Sequence, residues 1–182
     1  MKTLEGFKSF KESAYPGHKE LFEKLGNGQQ PHTLVVTCSD SRIDPALICQ
    51  SNPGDIFVVR NAGNVINNKD MHSSEVATIE YAIQALGIKE ILILGHASCG
   101  AVAAKCSGVD AEQLPHIHAY LELVDNGGKE GEEAIVENVK SQVSRFCELP
   151  FVSPRLEAGE LTVSGSVYDF VNGELSEVVR RS

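Results

Sequence analysis

Apolar residues along this chain fall into two periodicities. Three short runs, Leu34-Val35-Val36, Ile56-Phe57-Val58-Val59 and Ile91-Leu92-Ile93-Leu94, show no polar alternation. Strands covered on both faces read this way, so the runs predict buried parallel strands over 33–37, 56–60 and 91–94. Between the second and third runs, Val76, Ile79, Ile83 and Leu86 recur at intervals of three, four and three. That spacing predicts a helix over 73–86, with Gly87 ending it. Other helices are expected over 4–24, broken at Pro16-Gly17, and over 112–124 and 132–147. Short ones should follow Asp44-Pro45, where Asp caps and Pro fills the first turn, and begin near Cys99. Leu161 to Phe170 predicts a strand, and Asn172-Gly173 a hairpin returning through Leu175 to Val179.

Strand and helix alternate, so the expected class is α/β. The predicted architecture is a mostly parallel central β-sheet, about four parallel strands plus a C-terminal antiparallel strand, flanked by helices. No repeat or linker interrupts the pattern. A single domain over 1–182 is expected, with 1–25 as an N-terminal helical arm. Phe7, Phe10, Leu21, Phe22 and Leu25 make that arm apolar enough to pack on a partner subunit.

A net charge of −9, with no basic run, argues against nucleic acid or an anionic membrane as partner. The apolar runs are far shorter than the roughly 20 residues that span a bilayer. Met1 to Glu5 shows no apolar signal core, and the five cysteines are an odd number. A cytoplasmic protein with reduced thiols is expected.

The chemistry-bearing residues follow two of the apolar runs. Cys38-Ser39-Asp40-Ser41-Arg42 comes after the first, and Gly95-His96-Ala97-Ser98-Cys99-Gly100 after the third. Ligands bind at the carboxyl ends of strands in open α/β sheets. Cys38, His96 and Cys99 can therefore converge on one ion, and a Cys2His set leaves the fourth position of tetrahedral zinc open. Asp40 stands close enough to such an ion to block that position. Arg42 would hold it off by bidentate hydrogen bonding and lower its pKa. A cysteine-phosphatase loop is the rival here. It needs about five residues between Cys and Arg and no carboxylate facing the phosphate, and this loop meets neither condition.

The paired motifs resemble the β-class carbonic anhydrases. The likeness covers about residues 25 to 180 and includes Phe57-Val58-Val59-Arg60-Asn61-Ala62-Gly63-Asn64, Glu80-Tyr81-Ala82 and Gly165-Ser166-Val167-Tyr168-Asp169. It implies one zinc ion per chain on Cys38, His96 and Cys99, and a catalytic pair of Asp40 and Arg42. It also implies that Gln29, with Gln30 beside it, together with Phe57 and Tyr81, lines the substrate pocket across a dimer interface. Val35 stands where the other subtype often has Trp, so the plant-like subtype with an open zinc is implied. Ala101 and Ser166 depart from residues common in the family, Gly and Trp respectively.

The expected activity is zinc-dependent, reversible hydration of carbon dioxide to bicarbonate by way of zinc-bound hydroxide, in a homodimer or higher even homo-oligomer. His72, after the second strand, is the candidate proton shuttle because its side chain titrates in the right range. Two rivals keep the scaffold: hydrolysis of carbon disulfide or carbonyl sulfide, and a non-catalytic zinc-stabilised domain that binds bicarbonate.

Overall fold

The run 34–36 pairs with both of the others, but 56–60 lies at the sheet edge with only Val59 buried, so the expectation of a strand covered on both faces fails there. The computed structural model describes residues 1–182. It places β1 at Thr33–Cys38, β2 at Ile56–Asn61, β3 at Glu90–His96, β4 at Thr162–Asp169 and β5 at Glu174–Arg181. One sheet holds all five in the order β2-β1-β3-β4-β5. Pairings among the first four are parallel, and β4 with β5 is antiparallel. The expected α/β architecture is therefore what the chain adopts.

The helices are α1 (Lys2–Ser9), α2 (Tyr15–Leu25), α3 (Pro45–Ile48), α4 (Ser74–Glu80), α5 (Gly100–Ser107), α6 (Pro115–Tyr120), α7 (Gly131–Cys147) and α8 (Ser153–Glu157). Two expectations for the helices need correcting, and one helix was missed. Pro16-Gly17 does not break the first helix. A π-turn over Phe10–Ala14 joins α1 to α2, and Pro16 falls in the first turn of α2. Tyr15 N–H bonds the Phe10 carbonyl, five residues back, so the wider turn absorbs the proline without a lost partner. The expected helix over 112–124 shrinks to Pro115–Tyr120 plus a 3-10 turn at Leu121–Leu123. Asp110 accepts from the Glu112 and Gln113 N–H groups, which makes the preceding residues a capped turn. The helix α8 was not anticipated, because a single turn carries too little periodicity to read.

Asp44 caps α3 as expected, accepting from Ala46 and Leu47 N–H at 3.0 and 3.2 Å. Two apolar clusters pack on the same face of the sheet, because Cys38 shares the side of β1 that carries Leu34 and Val36 and α7 contributes to both. One packs Leu34, Val36, Ile91, Ile93 and Val163 against Ile79, Ile83, Val143 and Phe146. The other gathers Val65, Val102, Leu121, Val124 and Ile135 around Cys38 and Cys99. Gly95 and Gly165 let α7 settle on β3 and β4. A Cβ on Gly95 would meet Val139 Cγ2 at 2.5 Å, and one on Gly165 would meet Val139, Val143 and Val179 at 2.8 Å.

Candidate metal centre

β1 ends on Cys38 and β3 ends on His96, two strands that are neighbours in the sheet. Parallel pairing sends both carboxyl ends to the same edge, so the two donors meet there. Ser98, at φ 54°, turns the chain after β3. Cys99 follows at the N-cap of α5, where the helix dipole favours a thiolate.

The ligand atoms of Cys38, His96 and Cys99 all lie within 4.8 Å of one another, and all three residues are buried. The two sulfurs are 4.0 Å apart. Two thiolates about 2.3 Å from one tetrahedral ion would be roughly 3.8 Å apart, so the spacing suits zinc. His96 Nδ1 is 2.9 Å from the Ala97 carbonyl, which assigns its proton there and leaves Nε2 as the lone-pair nitrogen. Nε2 is buried with no hydrogen-bond partner. An orphaned, buried imidazole nitrogen facing two sulfurs is what a cation would satisfy.

Protons distribute over this cluster as its charges require. A hydrogen bond from the Cys99 S–H outweighs burial and holds the Cys38 thiol down at about 4. The same bond pushes Cys99 up, so the pair keeps one proton. For His96 burial opposes the charged form, yet the Cys38 sulfur and the Ala97 carbonyl outweigh it and raise its pKa. A divalent ion held by these three donors would take the place of these protons.

Asp40 sits beside the donors, its Oδ2 3.9 Å from His96 Nε2. Both of its oxygens are occupied. Arg42 donates from Nε to Oδ1 at 2.9 Å, from Nη2 to Oδ2 at 2.7 Å, and from its own backbone N–H to Oδ1 at 2.9 Å. These bonds hold the Asp40 carboxyl well below the usual carboxylate range. Arg42 Nη2 also reaches the Ser98 carbonyl at 3.1 Å, tying the two motifs together. A cleft of about 390 Å³, lined by Ser98, Cys99, Val102, Ala103 and Ile135 among others, opens beside Cys99.

Sequence reading missed several supports. Arg60 donates to the carbonyls of Cys38, Asp40 and Ile43 at 3.0, 2.9 and 2.8 Å, shaping the loop that carries Asp40. Phe170, between β4 and β5, lies with its ring 4.7 Å under the Arg42 guanidinium. Gly63 N–H points at Cys38 Sγ from 3.4 Å. Only the last had a legible signal, a Gly-Asn pair suited to positive φ.

Within one chain, Gln29, Phe57 and Tyr81 are not brought to this centre. Phe57 lies near the start of β2 opposite Leu34, whereas Cys38 pairs with Asn61. Four residues of strand put Phe57 about 13 Å back along the sheet. Tyr81 lies with Phe57, their ring centroids 6.1 Å apart, and is half exposed. Gln29 is exposed in the segment before β1. His72 is exposed on a turn that Asp70 caps, and no hydrogen bond links its ring to the centre.

Residues 33–175 match the family model described as carbonic anhydrase. A carbonic anhydrase of Synechococcus elongatus is 39% identical over 197 residues, covering 100% of this chain and 72% of that protein. The solved β-carbonic anhydrase CcaA superposes with a TM-score of 0.91 at 36% identity, over 97% of this chain and 86% of that one. One of two tetrameric β-carbonic anhydrases from Sordaria macrospora superposes with a TM-score of 0.81 at 26% identity, over 100% and 98% of the two chains.

Proposed function

Because the chain belongs to the β-class carbonic anhydrase family, we propose that it hydrates carbon dioxide reversibly to bicarbonate and a proton, using zinc on Cys38, His96 and Cys99. The observation that carries the metal assignment is the buried, partnerless His96 Nε2 among two sulfurs. Zinc in this set would supply Lewis acidity and an acidified water, less acidic than the value of about 7 at three-histidine sites because thiolates donate more charge. Activity is therefore expected to rise through alkaline pH.

The chain's own residues would do the rest. Asp40, kept ionised by Arg42, accepts a hydrogen bond from the attacking oxygen and orients its lone pair toward carbon. Arg42, bonded to both carboxylate oxygens, would keep Asp40 from moving onto a bound ion. Gln29, Phe57 and Tyr81 complete the pocket from a partner subunit, with Gln29 donating to a substrate oxygen as charge develops. Their distance from the centre within one chain supports this assignment. His72 would pass the proton to buffer, in a protein working in the cytoplasm.

Stopped-flow hydration of carbon dioxide, run beside metal analysis, tests the proposal. Asp40→Asn should keep one zinc per chain and lose turnover by on the order of 10²-fold or more. Unchanged turnover would remove Asp40 from its role. Carbon disulfide and carbonyl sulfide assayed in parallel decide the substrate.

A further inference from the structure

Cys38 Sγ accepts a main-chain hydrogen bond, and the arrangement behind that bond reaches residues outside the donor set. Gly63 N–H donates to Cys38 Sγ at 3.4 Å. Gly63 and Asn64 are both left-handed, at φ 79° and 50°. Gly and Asn both tolerate this conformation, but neither is confined to it. The loop is instead fastened peptide by peptide.

The Ala62 carbonyl and the Gly63 N–H belong to one peptide plane and point in opposite directions. Tyr120 Oη donates to that carbonyl at 2.9 Å. A hydroxyl on one edge of the plane thus fixes the N–H that meets the sulfur on the other. The next peptide is held by Asn138, whose Nδ2 donates to the Gly63 carbonyl at 2.9 Å. Asn138 is 1% exposed. Its Oδ1 accepts from Asp125 N–H at 3.1 Å and Gln142 Nε2 at 3.0 Å. Gln142 in turn accepts from Ile66 N–H at 2.8 Å. Asn138 and Gln142 lie one helical turn apart on the face of α7 that also buries Ile135, Val139, Val143 and Phe146. Burying two amides there costs stability unless every polar atom is used, and these bonds use them.

We propose that Tyr120 and Asn138 are positioning residues for the metal centre, clamping the two peptides that flank Gly63 so that its N–H stays on Cys38 Sγ. Neither touches substrate or the reacting atoms. The proposal rests on the zinc reading above and extends it to the ligand's support. Outer partners of metal ligands set ligand orientation and charge donation.

Tyr120→Phe removes one oxygen and keeps the ring, so it should fold. Zinc affinity, measured by chelator competition, should fall about 10-fold or more. The sulfur-to-metal charge-transfer band of the cobalt-substituted protein should move, because the sulfur has lost a donor. Asn138→Asp, nearly isosteric, should act in the same direction. Ser141→Ala, which removes only the bond from α7 to the Asp125 carboxylate, should lower Tm and move neither readout. Zinc affinity and spectrum in Tyr120→Phe equal to wild type would overturn the clamp alone. A wild-type chain that takes up no stoichiometric zinc would overturn the metal reading and the clamp with it.

Discussion

A carboxylate 3.9 Å from His96 Nε2 can bind a cation there or stand away from it. Arg42 decides between these by occupying both oxygens of Asp40. Replacing it with a side chain that lacks the fork should release Asp40 toward the ion. Arg42→Gln is predicted to retain zinc, bind it at least as tightly, and lose turnover by on the order of 10²-fold or more, read by metal analysis and stopped-flow hydration. Turnover near wild type would show that the fork is dispensable. This part was legible in the sequence because ligand chemistry is local: Cys38, Asp40 and Arg42 share one loop. Phe170 was not legible, since its place under Arg42 depends on the β4–β5 turn lying over the β1 loop.

The element that supports the loop behind Cys38 is α7, and its approach to the sheet depends on residues without side chains. Gly165→Ala is predicted to destabilise the fold by about 1–3 kcal/mol in denaturant titration, because the new methyl enters three valines at once. Val139→Ala in the same chain should recover part of the loss. Additive losses in the double variant would contradict the close-approach argument. Asp125 fastens the α7 network to the preceding loop. Its carboxyl is lowered first by the Gly127 N–H, then by Ser141 and nearby basic groups. A depressed carboxyl stabilises the fold above its unfolded pKa of about 3.9, and that stability fades as pH falls below it. The Tm gap between wild type and Asp125→Asn should therefore be widest near neutrality and close on acidification. Helix periodicity showed α7 in advance, but not its buried amides. Asn138 and Gln142 look like solvent-facing positions until the loop at Gly63 is seen to need them. The π-turn before Pro16 was hidden for the same reason, since which carbonyl a helix N–H selects is not written in composition.

At the scale of the whole molecule, the single chain separates Gln29, Phe57 and Tyr81 from Cys38, His96 and Cys99. Leu4 and Phe7 on α1 remain about 60% exposed. The proposed pocket shared between subunits would account for both. Mixing inactive Asp40→Asn chains with inactive Gln29→Ala chains, then allowing exchange, should restore about a quarter of wild-type activity, because half the dimers carry one intact site in two. No recovery after exchange would mean that each chain supplies its own pocket. Deleting residues 1–25 should shift the sedimenting species toward monomer. Family motifs alone suggested the proposed shared pocket. The chain's own chemistry could not, because nothing in Gln29 or Tyr81 shows which subunit it serves. Zinc K-edge absorption on the purified protein asks the central question most directly. The expected shell holds two sulfurs near 2.3 Å, one imidazole nitrogen near 2.0–2.1 Å, and a fourth light atom not supplied by the protein. A closed shell of four protein donors, or no bound zinc, would contradict it.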